Sequence, residues 1–413
     1  MAEKETAGKK RRLGDMQLFW RRGVQYGEVD LPFFLIVIAL LVMGIVMMFS
    51  ASYAWAIAEG KEGSYYAVSQ MKNAGLGLVL MLFLCMVDYH FFQKKLIAIG
   101  AYVLPLILLV MVFIPGIGVT DGGATRWIAI GSFNFQPSET MKIGMVIFYS
   151  YVITKNYDNM RYFLRGMLPM LLALLVPAAL LIKEPHISAT ALIVMTCIIL
   201  IFVGGVNLKQ FLLIGVIGAA GALLLVSLMS RNYDYIQKRI QSWVDPFADS
   251  QGNTCQSLIA IGSGGLFGLG LGESRQKYLY LPETKNDFVF SIVCEELGLV
   301  GALTVVLLFT LLVIRGFYIA MRAKDKFGML MAIGLTSHIG LQAFFNIAVV
   351  SNLIPNTGIS LPFFSYGGTA LILQLAEMGI VLNISRVRYQ SPQRVPAAER
   401  APQAEVQLQG GNA

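Results

Sequence analysis

The sequence predicts an all-α integral membrane protein of about ten transmembrane helices, with both termini cytoplasmic and a large extracytoplasmic loop between spans 7 and 8. Three observations predict it. Hydrophobic residues fill 56% of the 413 positions at a mean hydropathy of +0.66, they fall in long uninterrupted runs, and Lys and Arg concentrate in alternate loops. A soluble fold leaves those runs unexplained.

In chain order, residues 1–30 form a polar tail carrying Lys9, Lys10, Arg11, Arg12, Arg21 and Arg22. No cleavage-site pattern follows the first apolar run, so that run is expected to stay as an anchor. Residues 31–386 form the transmembrane domain. Windows able to cross ~30 Å of hydrocarbon fall at 31–51, 73–88, 96–115, 141–154, 167–182, 188–206, 211–229, 288–314, 328–351 and 368–385. With the amino terminus inside, about 21 of the 32 Lys and Arg lie on the cytoplasmic side. Residues 387–413, rich in Pro, Ala, Gln and Glu, have no apolar period and read as a disordered cytoplasmic tail.

The net charge of +8 is spread over juxtamembrane loops and tails, which fits contact with anionic lipid and excludes nucleic acid as a partner. Cys85, Cys197 and Cys294 lie in spans and Cys255 in an outer loop, so neither a disulfide framework nor a metal-ligand spacing is expected.

Most residues capable of chemistry lie in the outer loops. The leading one is Asp287, in Leu281-Pro282-Glu283-Thr284-Lys285-Asn286-Asp287-Phe288, where a polar loop enters an apolar segment. An acid at a membrane threshold costs insertion free energy and marks a functional site by default. Its structural alternative is a helix N-cap worth ~1 kcal/mol, a job Asn286 could also do.

The same loop opens with Ile236, Ile240, Trp243 and Phe247 at helical spacing after Tyr233. This is an amphipathic helix that either lies in the bilayer interface or packs on the other loops. The glycine run from Gly262 to Gly272 lacks the strand and βαβ context of a nucleotide loop, so close backbone packing and a tight, re-entrant turn explain it better. Arg275 and Lys277 read equally as interfacial anchors or as partners for a phosphate.

Glu295 and Glu296 are adjacent and point ~100° apart on a helix, so one partner cannot hide both. Glu139 and Lys142, three apart, are expected to pair structurally. His186 on a short outer turn is expected to be solvated. The last outer loop, 352–369, combines Pro355, Gly358, Pro362, Gly367 and Gly368 into a kinked substrate wall, with Pro355 and Pro362 as its structural corners and Ser365 and Gly367 facing substrate.

The run from Pro355 to Gly368, RWIAIGSFNFQPSE beginning at Arg126, SLIAIGSGGLFGLGLGES beginning at Ser257, and the following QKYLYLPE, DF and EELGL resemble the SEDS family (shape, elongation, division and sporulation) over residues 30–386. The resemblance implies a ten-span peptidoglycan glycosyltransferase that polymerises lipid II at the outer face of the cytoplasmic membrane, with its essential acid at Asp287. It implies a class B penicillin-binding protein and other division proteins as partners. The long tails resemble the division branch, hence a septal location, more than the elongation branch. Two departures stand out: Glu184-Pro185-His186 where many members have Gln-Pro-Asp, and Lys285-Asn286 where many have His-Thr.

On this reading Asp287 is the base for the acceptor hydroxyl, and Arg126, Arg275 or Lys277 meets the departing pyrophosphate, helped by a divalent cation, Mg²⁺ or Mn²⁺. A lipid II flippase and a non-catalytic division scaffold are the alternative classes.

Overall fold

In a computed structural model of the protein, residues 27–121, 124–130, 133–232 and 234–386 are described; most of the basic extension, all of the tail from 387 and Tyr233 lie outside them. Among the described residues, six helical segments are long and apolar enough to cross a membrane. They are α1 (Leu31–Ala58), α2 (Tyr65–Met86), Phe163–Lys183, α10 (Val289–Met321), α11 (Lys326–Val350) and α12 (Gly368–Arg386). The third comprises a π-helical turn (Phe163–Met167) and α5 (Leu168–Lys183). Shorter apolar stretches are α3 (Lys95–Met111), α6 (Ile187–Val203) and the first part of α7 (Leu208–Asn232). A further helix, α4 (Pro137–Lys155), carries Glu139 and Lys142 and is enclosed by α3, α6 and α11 rather than facing outward.

Each apolar window falls on one of these helices, but several helices run past their windows. The helix α2 starts eight residues before its window, at Tyr65, because its first turns are packed: Gln70 is fully buried and donates to the Ser365 carbonyl at 3.0 Å. Polar residues satisfied inside the bundle extend a helix without adding hydropathy. In the most apolar windows of α11 and α12, 67% and 78% of residues are buried, against 39% or less in the other four spans, so these two form the centre. Small residues let neighbours close in: a Cβ on Gly144 would lie 2.0 Å from the Ala101 carbonyl, joining α4 to α3, and one on Gly379 2.4 Å from that of Met81, joining α12 to α2.

An all-α expectation misses one element. Before α4 lies a three-stranded antiparallel sheet, β1 (Gly118–Asp121), β2 (Ala124–Ile130) and β3 (Phe133–Phe135), in which Val119 opposes Trp127 and Ile128 opposes Phe135. Ile128 is buried, and the β1–β2 register skips Arg126, which has no paired residue on β1 and sits at a bulge in the strand.

The loop between α7 and α10 contains two short helices, α8 (Asp234–Val244) and α9 (Asn253–Ser263). Its glycine run then meets a break in α10, where Gly298 adopts φ 65°, ψ −163°. The two segments zip together through the backbone: Leu269 and Gly270 donate to the Glu295 and Glu296 carbonyls at 2.9 and 3.1 Å, and Leu299 and Val300 donate to those of Gly265 and Leu266 at 2.9 and 3.2 Å. Groups freed by the broken helix are therefore satisfied by the loop.

At the opposite end of the bundle, Asp30 caps α1 and takes two 2.9 Å bonds from Arg315, while His90 lies between Asp88 and Asp325 at 2.7 and 2.6 Å.

A methyl group at Gly298 would sit 2.3 Å from the Gly268 nitrogen and 2.6 Å from the Leu266 carbonyl oxygen, on a backbone conformation essentially reserved for glycine. Gly298→Ala is expected to lower the yield and melting temperature of detergent-solubilised protein by a cost exceeding the roughly 1–3 kcal/mol of backbone strain alone. Gly215→Ala, with no atom within 4 Å of the new methyl, should leave both unchanged.

Candidate active site

Asp287 sits two residues before α10, on a segment held at every position. Thr284 donates to the Ala51 carbonyl at 3.0 Å. The next three carbonyls are each captured: that of Lys285 by the Tyr366 amide at 2.8 Å, that of Asn286 by the Ser365 hydroxyl at 2.5 Å, and that of Asp287 by the Asn346 amide at 2.7 Å. Asn346 also donates to the Ile359 carbonyl at 2.6 Å, so α11 ties the acid's segment to the 352–367 loop. Position and direction of the Asp287 side chain are thus fixed by backbone bonds that leave its carboxylate out.

That carboxylate is half-buried and accepts no hydrogen bond among the described residues. The capping alternative is corrected for both candidates: Phe288 occupies the N-cap position of α10 with no side-chain cap bond, and the Asn286 amide donates to Glu283 at 2.6 Å. Gly358 leaves room beside the acid, since a Cβ there would lie 3.2 Å from Asp287 Oδ2. Burial, reinforced by the charge of Glu283, pushes the Asp287 carboxyl up to about 6, against the opposing pull of Arg239 and Arg126.

The two arginines whose charge acts on the acid lie on different elements. Arg126, on β2, is oriented by the turn after α5, donating to the carbonyls of Glu184 at 3.4 Å and Pro185 at 2.5 Å. Arg239 comes from α8, one turn before Trp243. Trp243 is locked to the last loop by a reciprocal pair, its indole donating to the Asn352 carbonyl and the Asn352 amide to the Trp243 carbonyl, each at 3.2 Å. The amphipathic helix therefore packs on the other loops at its end, while Val244 and Phe247 stay exposed. Arg239 was not singled out from the sequence; its place one helical turn from the anchoring Trp243 was the available signal.

Beside Arg126, His186 is buried rather than solvated, because its turn is covered by α4 and the sheet's arginine. Burial holds it neutral, down to about 3, with Arg126 and Lys142 acting in the same direction. Glu184 is also buried, with both carboxyl oxygens unpartnered, and burial raises it to about 8 against Arg126. The two residues of the first departure, Glu184 and His186, are thus uncharged near neutral pH, so neither of them neutralises Arg126.

Several expected residues lie elsewhere. Lys277 is a correction: only 3% exposed, it bonds Glu296 at 3.1 Å, Ser50 at 3.0 Å and the Gly272 carbonyl, so it faces protein rather than a phosphate. Arg275 is exposed, and Asp287 responds to Arg239 and Arg126 rather than to it. Ser365 is corrected too, being buried with its hydroxyl donating to Asn286 and accepting from the Leu361 amide at 2.8 Å. The Gly367 carbonyl accepts from Leu371 at 3.0 Å as the first acceptor of α12, a helix-starting role rather than a substrate contact.

Glu295 and Glu296 are both buried, and one turn covers both. Ser274 Oγ and the Arg275 and Gln276 amides bond Glu295, while Ser50, Lys277 and the Ser274 amide bond Glu296. The expectation that no single partner could hide both fails because the loop wraps around the helix instead of lying along one side. Glu139 and Lys142 pair at 2.8 Å, and Lys142 reaches Gln342 at 3.3 Å, which in turn donates to Ser360. Pro362 is buried and Pro355 half-buried within the same loop. Lys285 turns away from Asp287 to Glu59 at 2.9 Å and over the Tyr66 ring at 4.1 Å.

A proton acceptor with a fixed backbone, raised affinity and two flanking guanidiniums is the arrangement in which a hydroxyl is deprotonated next to a bound anion. The family described as the cell cycle proteins FtsW, RodA and SpoVE matches residues 31–390. The chain belongs to this SEDS family. It is similar to the stage V sporulation protein E of Bacillus subtilis, 41% identical over 86% of this chain and 97% of that protein. It is also similar to a probable peptidoglycan glycosyltransferase FtsW of Geobacter sulfurreducens, 38% identical over 86% and 95%. Among solved structures, a chain of a peptidoglycan synthase complex that coordinates polymerization and crosslinking superposes at a TM-score of 0.72 with 27% identity, covering 88% of this chain and 99% of that one. The rod shape determining protein RodA of Thermus thermophilus superposes at 0.63 with 26% identity, covering 88% and 98%. This SEDS chain thus spans nearly the full length of its relatives.

Replacing Lys277 by Met is expected to cost about 3–5 kcal/mol, because Glu296 would be left charged and buried without its cation. The double variant Lys277→Met, Glu296→Gln should recover most of the loss in a thermal melt of the purified protein. A lysine that served a phosphate would show neither the instability nor the rescue.

Proposed function

We propose that the protein is a peptidoglycan glycosyltransferase that polymerises lipid II at the outer face of the bacterial cytoplasmic membrane, at the septum, together with a class B penicillin-binding protein. The observation that carries the reading is the Asp287 carboxylate, left free of hydrogen bonds while the carbonyls of Lys285, Asn286 and Asp287 are all held, with Arg126 and Arg239 acting on it. Ten helices cross the bilayer, the loops bearing these residues lie outside by the distribution of Lys and Arg, and both tails lie inside. The relatives' names support the chemistry; the identity of 41% to a sporulation protein keeps a sporulation septum as a second setting for the same reaction.

In this mechanism the acceptor sugar's 4-hydroxyl loses its proton to Asp287 as its oxygen attacks the anomeric carbon of the lipid-linked donor. The bond from that carbon to the diphosphate breaks, and undecaprenyl pyrophosphate leaves with the electron pair. Arg126 and Arg239 are placed to meet the negative charge that develops on the leaving group. A divalent cation, Mg²⁺ or Mn²⁺, would be carried mainly by the diphosphate with at most Asp287 and Glu283 as protein ligands, since among the described residues no three His, Cys, Asp or Glu cluster around a common point.

Asp287→Asn is expected to lower lipid II polymerisation by roughly 10²–10⁴-fold while the purified protein keeps its melting temperature and its binding to the partner synthase. Full glycan synthesis by that variant would sink the base assignment. Headgroup translocation without new glycosidic bonds would instead identify a flippase, and loss of partner binding alone a scaffold.

The titration has a defined sign. A base must be ionised, and Asp287 gives up its proton only above about pH 6. The polymerisation rate should therefore plateau above that value and fall about tenfold per pH unit below it.

A further inference from the structure

The glycine-bearing loop presents apolar side chains to the outside. Phe267 is 80% exposed, and Leu266, Leu271, Tyr278, Leu279 and Tyr280 are exposed as well. A patch of this kind on a soluble surface would be a liability, so it needs a partner.

Its depth follows from α10. Arg315, bonded to Asp30, marks the inner end of the apolar stretch of that helix. Counting outward, ~30 Å of hydrocarbon takes about 20 residues at ~1.5 Å each, which places the outer hydrocarbon boundary close to Glu295 and Glu296. The loop bonds to this level and just inside it, through the carbonyls of Glu295 and Glu296 and the amides of Leu299 and Val300. On the outward side of the same helix, Leu299, Val300, Leu303 and Leu307 are exposed and form its lipid-facing stripe. Because Val300 donates to the Leu266 carbonyl, the exposed Leu266 and Phe267 continue that stripe sideways.

The remaining chemistry agrees with the depth. At the break itself, four backbone bonds join the loop to the helix, as a hydrocarbon setting favours. At the level of the break, Glu295, Glu296 and Lys277 are buried and bonded within the protein, and the exposed charges of the loop, Glu273 and Arg275, come only after Leu271. Tyr278 and Tyr280, both exposed, are of the residue type that collects at membrane interfaces.

We infer that residues 264–271 form a re-entrant element whose outer face, led by Leu266, Phe267 and Leu271, is seated in the acyl chains of the outer leaflet, and that the chain returns to water by Glu273. The partner is bilayer lipid, and the inference rests on the membrane-spanning fold rather than on the transferase reading. It makes the wall of the active-site loop continuous with the lipid phase from which a lipid-linked substrate would enter.

The test uses the full chain in phosphatidylethanolamine–phosphatidylglycerol vesicles, with a nitroxide placed on Phe267→Cys and, separately, on Leu271→Cys. Leu303→Cys supplies the lipid reference and the exposed Glu273→Cys the aqueous one; the four native cysteines are buried. Collision with oxygen and with a water-soluble nickel chelate is read by power-saturation spectroscopy. The expected result is that the labels at 267 and 271 match Leu303, favouring oxygen. Labels that match Glu273, relaxed by the nickel chelate, would overturn the inference and leave the patch to a protein partner. The readout does not depend on activity, so failure of the glycosyltransferase reading would leave it standing.

Discussion

The constraint on which this structure depends is that backbone groups freed by a broken helix inside the bilayer must find partners within the protein. In a bilayer an unpaired backbone group costs several kcal/mol, and a charge more. Where α10 breaks at Gly298, the glycine run supplies the missing partners, and it can do so only because Gly264, Gly268 and Gly298 let two backbones come closer than any side chain would allow. The same turn then encloses Glu295 and Glu296. Kink, loop and buried charges are joined by these bonds into one unit.

The active-site segment obeys the same rule with one exception that gives it chemistry. The carbonyls of residues 285 to 287 are captured by Tyr366, Ser365 and Asn346, so the 352–367 loop and α11 serve as a clamp. Holding all three carbonyls while leaving the carboxylate unbonded produces a base that is rigid yet available. Its proton affinity is a balance: burial and Glu283 raise it, Arg239 and Arg126 lower it, and the result lies near 6. A carboxylate at the usual value would be a weaker base, and one held well above neutrality would be protonated when needed.

Membrane class and the positions of the long helices were legible in the sequence because hydropathy reports lipid exposure directly. Asp287 was legible because a lone acid at a membrane threshold is rare. What escaped had a physical reason. The strands around Arg126 are short and lie between apolar windows, so their alternation was outweighed by the helical signal around them. Lys277 and Arg275 are two residues apart and looked equivalent, yet the turn sends one to Glu296 and the other to the surface. Ser365 was assigned to the substrate because its loop was, and only coordinates could show its hydroxyl turned to the Asn286 carbonyl. Arg239 needed the docking of Trp243 on Asn352, a contact 109 residues apart, to be brought to the acid.

The central claim is that Asp287 is the titrating base and that its neighbours set where it titrates. The most direct test is the acidic limb of the kcat/KM profile for lipid II polymerisation in two variants of those neighbours. Arg239→Gln removes a charge that favours the carboxylate, so the limb should move to higher pH than in the unaltered protein; Glu283→Gln removes one that opposes it, so the limb should move to lower pH. A limb that stays in place in both variants would contradict the account, because the group controlling the rate would then not be Asp287.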